Sequence, residues 1–296
     1  MGGCMSSITD VYSPRTTFRC TRLRGAKVGG SVCQFCAVGC SQLGFFKDGK
    51  LIDVEGDPRS SVNEGRLCPK GSSTYALNEN PYRKVKPMYR APGSDHWKEV
   101  SLDWMLDTVA KRIWETRNKG FVEKDPKTGI TVNNCANIGF IGGSANDNEE
   151  CYLFRKLFTG GLGILPVENS ARYCHSTTVC ALSPTFGFGA CTNPPRDLLN
   201  SDCILIMGSN MAEAHPCAFY WPMQAKKKGT VTIHVDPRYT RTSAACDHHV
   251  HIRPETDIAF LSGIIRYLLE KHLWFKEYVL AYTNASTIIN PNFNFD

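Results

Sequence analysis

The sequence predicts an α/β protein, with a small β-containing cysteine module first and an α/β unit with a mostly parallel sheet after it. Three observations predict this. Glycine, cysteine and short strand-like runs crowd the first 71 or so positions, with Leu51-Ile52-Asp53-Val54 set between Asp48-Gly49 and Gly56-Asp57-Pro58 turns. Beyond them the order strand, glycine turn, helix occurs more than once. Apolar residues also recur at helical spacing in two long stretches.

The elements follow in order. Pro81, Pro87 and Pro92 mark a connecting segment. Leu102, Met105, Leu106, Val109, Ala110 and Ile113 predict a helix over 102–119, with Gly120 as its cap. A strand over 136–141 leads into Gly142-Gly143-Ser144 and a helix over 150–158. The pattern returns as Cys203-Ile204-Leu205-Ile206-Met207, Gly208-Ser209-Asn210 and a helix over 216–228, then the strand 231–235 and the turn Asp236-Pro237-Arg238. Such alternation places ligands at the carboxyl ends of parallel strands. A last helix opens at Thr256-Asp257, with Leu261, Ile264, Ile265, Leu268 and Leu269 on one stripe. The division expected is a tail over 1–20, a cluster module over 21–76 and an α/β region over 77–296 that looks interrupted at its end.

Composition narrows the function. The chain has 296 residues, 42% of them hydrophobic and 21% charged, which suits a packed protein rather than a disordered one. No apolar run reaches the roughly 18 residues that span a bilayer. Ser13-Pro14-Arg15-Thr16-Thr17-Phe18 has the outline of a twin-arginine signal but holds one arginine and no apolar stretch. A cytoplasmic location is expected, with a periplasmic one, membrane-associated through partner subunits, as the alternative. The net charge of +6 suits an anionic ligand, yet the basic residues are scattered and Lys226-Lys227-Lys228 reads as a solvated helix end, so no nucleic-acid partner is expected.

Fourteen cysteines are the strongest anomaly, and in a chain of this size they point to metal ligation rather than to a disulfide framework. Isolated ones such as Cys135, Cys151, Cys203 and Cys246 read as small core hydrophobes. Cys33, Cys36 and Cys40, with Cys68 in a Cys-Pro-Lys-Gly run, supply the four thiolates of a 4Fe-4S cluster, because a tight loop wraps three around one edge and a distant fourth closes the set. Structural zinc is the competing reading, although its sites usually present two close cysteine pairs. Lys70 follows the fourth cysteine closely enough to lie between the cluster and a second redox group; an ordinary surface lysine is the alternative.

Cys174 and His175 form a second constellation. A cysteine at a strand-to-helix turn gains thiolate character and suits a metal ligand or a nucleophile, and an adjacent histidine moves protons. A buried thiol beside a surface histidine is the plainer reading. Gly208, Asn210 and Glu213 then offer backbone amides to a diphosphate and side chains to hydroxyls and base edges. Asp236, Arg238 and Thr240, after the next strand, match sugar and phosphate, and Asp257 at a helix start suits a guanine edge. Each of these has a plainer reading as a cap or turn. His249 and His251 share a strand face with no further metal ligand evident, and are read as structural.

Taken together, Cys33-Gln34-Phe35-Cys36-Ala37-Val38-Gly39-Cys40, Leu67-Cys68-Pro69-Lys70-Gly71, Ala171-Arg172-Tyr173-Cys174-His175, Ala212-Glu213-Ala214-His215-Pro216 and Val235-Asp236-Pro237-Arg238 resemble the N-terminal part of the catalytic subunit of molybdenum or tungsten formate dehydrogenases. The resemblance runs from about Arg24 onward. It implies a bis-(molybdopterin guanine dinucleotide) cofactor carrying Mo or W, Cys174 as metal ligand, His175 beside the substrate, and Lys70 between pterin and cluster. It further implies formate as substrate and CO2 as product or the reverse, and as partners a C-terminal half of the catalytic subunit, an iron-sulfur electron-transfer subunit and a membrane cytochrome subunit. A non-catalytic electron-transfer remnant and another molybdopterin oxidoreductase are the competing readings. Two departures from the family stand out. The larger is length, since the family's catalytic subunit continues well beyond this point with an arginine that holds formate and sites for the rest of the second pterin. The smaller is Glu255, where the family pattern has glycine before Thr-Asp.

Overall fold

The structure is a computed structural model that describes residues 22–174, 176–287 and 291–292. The tail over 1–20 with its segment 13–18, His175 and the closing residues 293–296 lie outside the described residues.

β1 (Lys27–Val32), β2 (Ser41–Lys47) and β3 (Lys50–Gly56) form an antiparallel sheet in that order. Asp48 and Gly49 join β2 to β3 with φ of 51° and 77°, the double positive φ that makes a two-residue turn match strand twist. Leu23, Ala26, Val28, Leu43 and Phe45 pack on one another to form the core of this module. Gly56 is dictated by space: a Cβ there would meet the Gly65 carbonyl oxygen at 2.4 Å. Two short helices, α1 (Pro69–Ser72) and α2 (Thr74–Asn78), lead to the small hairpin of β4 (Met88–Tyr89) and β5 (Lys98–Glu99).

α3 (Leu102–Gly120) forms where the apolar spacing predicts it. Ser101 caps it by accepting from the Trp104 amide at 3.2 Å, and Asp103 at the start with Arg117 and Lys119 at the end complement its dipole. The strand expected over 136–141 shrinks. The hairpin of β6 (Phe121–Lys124) and β7 (Thr131–Cys135) takes the preceding residues, and only β8 (Phe140–Ile141) remains, because Asn137 and Gly139 are poor strand formers. α4 (Asn148–Arg155) opens on a capping box of Asp147 and Glu150. The helix expected to reach residue 158 instead widens into a π-helical stretch, Lys156–Gly161, where Gly160 and Gly161 lower helical preference.

β9 (Val167–Glu168) pairs in parallel with β8, and α5 (Ser170–Cys174) and α6 (Ser176–Phe186) follow. After a 3-10 turn at Pro195–Asn200, β10 (Cys203–Met207), α7 (Met211–Ala214), α8 (Pro216–Lys227), β11 (Val231–Val235), α9 (Arg241–Ala245) and β12 (His248–Val250) build a parallel sheet in the order β10-β11-β12. The parallel pairing thus comes in two separate pieces. Ile204, Ile206, Phe219 and Ala225 form the core between β10 and α8. Strand alternation turns Cys203 outward, so this cysteine is exposed rather than a core hydrophobe, whereas Cys135 is fully buried. Lys226 and Lys227 close α8 as a helix end.

α8 also joins the two parts of the chain. Trp221 donates its indole N–H to the Val62 carbonyl at 2.9 Å, and Arg66 donates to the Tyr220 hydroxyl at 2.8 Å with its guanidinium 3.7 Å from that ring's centre. α10 (Asp257–Glu270) carries the expected apolar stripe, yet Leu261, Ile264, Ile265, Leu268 and Leu269 are all exposed, so this stripe packs into no core among the described residues. α11 (Lys276–Tyr282) ends the regular structure. No helix among the described residues is long and apolar enough to cross a membrane.

Candidate functional site

Cys33, Cys36, Cys40 and Cys68 line one small pocket. Local geometry explains how segments this far apart meet. The Cys33 amide bonds the Cys40 carbonyl at 2.8 Å, and Gly39, with φ of 65°, lets the loop turn back. Buried Asn63 spans the gap by bonding the Ser41 amide at 3.0 Å, the Ser41 carbonyl at 3.1 Å and the Arg66 carbonyl at 2.8 Å. Gln42, 2% exposed, adds bonds to the Gly71 carbonyl at 2.8 Å and to Thr74 at 3.1 Å. These two amides hold the Cys68 segment against the Cys40 strand, since an unpaired polar group there would cost about 1–3 kcal/mol. Burial, with the Cys217, Cys33 and Cys36 thiols nearby, pushes the Cys40 thiol up to about 12, so metal binding here has protons to displace.

Lys70 is not part of this pocket's lining. Its ammonium donates to the Ala214 carbonyl at 2.9 Å, at the end of α7. Burial and the Lys70 charge hold the neighbouring His215 below the usual imidazole range, and its buried Nδ1 has no hydrogen-bond partner among the described residues.

The residues expected to hold a nucleotide cluster at the carboxyl ends of β10 and β11. Gly208, with φ of 61°, bonds the Val235 carbonyl at 3.0 Å and turns the chain out of β10. Asn210 hydrogen-bonds Glu213 and accepts from the Thr242 hydroxyl at 3.1 Å, while Arg241 pairs with Glu213 at 3.1 Å. Asp236 accepts from the Arg238 amide at 2.7 Å, and Thr240 caps α9 through the Thr242 and Ser243 amides. Beneath them lies fully buried His234, bonded to Ser243 at 2.7 Å and to the Ser209 carbonyl at 3.1 Å; burial lowers its pKa. Thr240 and Asp236 therefore serve their own turns, and Arg238 projects exposed from the rim. Asp257 opens α10, as expected, but no hydrogen bond among the described residues joins it to these turns. His249 bonds the Asp236 carbonyl at 3.1 Å and packs edge-on against Tyr239.

Cys174 differs from expectation. It closes the five-residue helix α5 instead of sitting in a strand-to-helix turn, because the helical turn begins at Ser170, directly after β9 and Asn169. Its thiol is exposed. The preceding Arg172 pairs with Glu168 and lines a cleft of about 350 Å³ with Gly142, Asn146 and Asn169 at the ends of the β8–β9 pair.

Residues 26–80 match the Molybdopterin oxidoreductase Fe4S4 domain, and residues 83–273 match Molybdopterin oxidoreductase itself. The chain belongs to the molybdopterin oxidoreductase family. It is 52% identical over 273 residues to "Formate dehydrogenase subunit alpha" of Megalodesulfovibrio gigas, covering 92% of this chain and 27% of that protein. It is 46% identical to "Formate dehydrogenase 2 subunit alpha (cytochrome c-553)" of Nitratidesulfovibrio vulgaris, covering 93% and 27%. The chain thus spans about a quarter of the length of these relatives. Acetylene hydratase from Pelobacter acetylenicus shares the fold, with a TM-score of 0.68 at 22% identity over 85% of this chain and 33% of that one.

A 4Fe-4S cluster and a molybdopterin carrying Mo or W are the cofactors of this molybdopterin oxidoreductase chain. The residues present fit both groups: four soft thiol donors share one pocket, and the unpartnered His215 Nδ1 stands where Lys70 meets the end of α7. Sequence reasoning missed Cys217, which lines the same pocket. No spacing rule connects a lone cysteine in Pro216-Cys217 with a motif so far upstream.

Proposed function

We propose that this chain is the N-terminal portion of a formate dehydrogenase catalytic subunit, which oxidises formate to CO2, or the reverse, in concert with the remainder of that subunit. The observation that carries it is the Lys70–Ala214 bond, which joins a four-cysteine pocket to the strand-end turns suited to a nucleotide. The choice of formate rests on the relatives named above.

In this reading Cys33, Cys36, Cys40 and Cys68 hold the cluster and Cys174 ligates Mo or W. When bound, the metal-pterin group supplies the redox chemistry that accepts electrons from formate. The Gly208 turn and Arg238 bind phosphates, while Asn210, Glu213, Asp236 and Thr240 meet sugar hydroxyls and base edges. Asp257 meets guanine, and the remainder of the subunit supplies the rest of the set for a bis-(guanine dinucleotide) cofactor. Lys70 sets a positive charge between the two redox groups, favouring the reduced cluster. His175 orients formate or takes up its proton. An iron-sulfur subunit receives the electrons, and a membrane cytochrome subunit is the further partner.

Cys174→Ala decides the assignment in the assembled enzyme. Formate-dependent dye reduction is expected to vanish while the cluster's visible absorption persists; unchanged turnover refutes Cys174 as ligand. About four Fe per chain with no Mo or W in the active assembly overturns the catalytic reading.

A further inference from the structure

Two hollows meet at Gln42. One is the cluster pocket, which Gly71 helps to line; the other is a groove of about 400 Å³ between the end of β1 and α2, lined by Val32, Gln34, Thr74, Leu77 and Arg83. Gln42 lines the groove as well, and its amide bonds the Gly71 carbonyl at 2.8 Å and the Thr74 hydroxyl at 3.1 Å. Val32 and Gln34 flank Cys33 in the chain, and Cys33 lines the cluster pocket. The groove thus lies one residue away from the cluster pocket, whereas Lys70 and α7, on the side read as facing the pterin, line neither hollow. Its rim suits contact with a protein. Val32 is 56% exposed, Tyr82 87% and Val85 83%, apolar and aromatic surface set among polar groups. Exposed Arg83 and Lys84 pair with no carboxylate among the described residues; Lys86 pairs with Glu99, and Glu79 bonds Asn78.

We propose that this groove is the docking site of an electron-carrier protein with an acidic face, which takes electrons from the cluster past Gln42. This rests on the four-cysteine ligand reading. Electron transfer falls off steeply with separation, and at Gln42 a single buried side chain stands between the cluster pocket and a surface that a partner can reach. One electron passes at each encounter: the reduced cluster is oxidised, the carrier's metal centre is reduced, and no bond or proton changes place. The two unpaired cations fix the partner's sign, because charge of the opposite kind steers encounter and suits an interface that must also release its partner. Tyr82, Val85 and Leu77 supply the apolar contact that holds the carrier in register. Redox encounters of this kind bury little area, which matches a groove with a short rim rather than a broad apolar face.

The test measures binding of the full chain, carrying its cluster, to an acidic Rieske-type ferredoxin and to a basic cytochrome c. The ferredoxin is expected to bind more tightly, and to weaken as salt is raised. Arg83→Glu combined with Lys84→Glu is expected to slow ferredoxin association at least about tenfold. Lys124→Glu combined with Lys127→Glu makes the same change in net charge on the exposed β6–β7 hairpin and is expected to stay near the parent. Carbodiimide cross-linking is expected to join Lys84 to a ferredoxin carboxylate. In stopped flow, reoxidation of the dithionite-reduced cluster by the ferredoxin is expected to slow in the groove pair alone. Equal effects of the two pairs, or tighter binding of the cytochrome, overturn the proposal. Iron content tests the underlying reading separately: a parent chain that holds no cluster overturns the four-cysteine ligand set, whereas a loaded chain indifferent to the groove pair overturns the docking site and leaves the ligand set standing.

Discussion

Lys70 and Ala214 meet at 2.9 Å, ammonium to carbonyl, although 144 positions separate them. The contact ties the helical turn after Cys68 to the turn after β10. Lys70→Met removes the charge and keeps the length of the side chain. Formate-driven reduction of the cluster is expected to slow about tenfold, equivalent to about 1.4 kcal/mol of barrier, while iron content stays constant. Lys70→Arg is expected to recover most of the rate. Stopped-flow absorbance of the assembled enzyme reads both, and a Met variant as fast as the parent removes Lys70 from the path.

The Trp221 indole is 2% exposed and bonds Val62 across the seam. Trp221→Phe keeps an aromatic ring in the seam but strips the carbonyl of its donor, and is expected to cost about 1 kcal/mol. Trp221→Ala adds a cavity and is expected to cost about 3–5 kcal/mol. Urea unfolding followed by circular dichroism gives both values.

Glu255 occupies the left-handed region with φ of 69°, at the position where the family pattern has glycine. Relieving a Cβ there returns about 1–2 kcal/mol, and the looser unfolded chain takes back about 0.4–1 kcal/mol. Glu255→Gly is therefore expected to stabilise the protein by roughly 0–1.6 kcal/mol, the difference of those ranges. A lower urea midpoint refutes it.

Asp247 accepts from the Thr232 hydroxyl at 2.7 Å and pairs with Lys226 at 2.9 Å, and these bonds hold its carboxyl well below the usual range. A depressed carboxylate contributes stability that is present above its unfolded value of about 3.9 and disappears as pH falls through the folded one. Buried His234 acts in a higher window: its folded pKa is lowered, so the unfolded chain binds the extra proton and stability falls as pH drops through about 6.5. Asp247→Asn is expected to flatten the acid limb below pH 4, and His234→Gln the limb between about pH 7 and 5. Thermal midpoints measured against pH separate the two.

Much of this was legible from local chemistry. The Asp48-Gly49 hairpin, the 102–119 helix and the β10 and β11 strands each follow from a turn dipeptide or a clean period. The three crowded cysteines, with Cys68 downstream, announce their pocket because loop geometry limits what such spacing can hold. Contacts that depend on long-range docking were not legible. Nothing near Cys217 signals that α8 will press it against Cys40, and Asn63 and Gln42 read as ordinary loop and strand polars until both are seen buried. The short helix ending at Cys174 escaped too, since five residues are too few to show a helical period.

The α8 seam has a consequence for biogenesis. The wall supplied by Cys217 lies 151 positions beyond Arg66, the residue it abuts. On the ribosome the first three cysteines and Cys68 emerge long before that wall exists, so a nascent module is an open bowl with its thiols facing solvent. Contacts this distant in sequence form late, after their loop-closure entropy has been met. Cluster delivery consequently has a natural window between emergence of Cys68 and docking of α8, after which the same helix that completes the pocket also shuts its door.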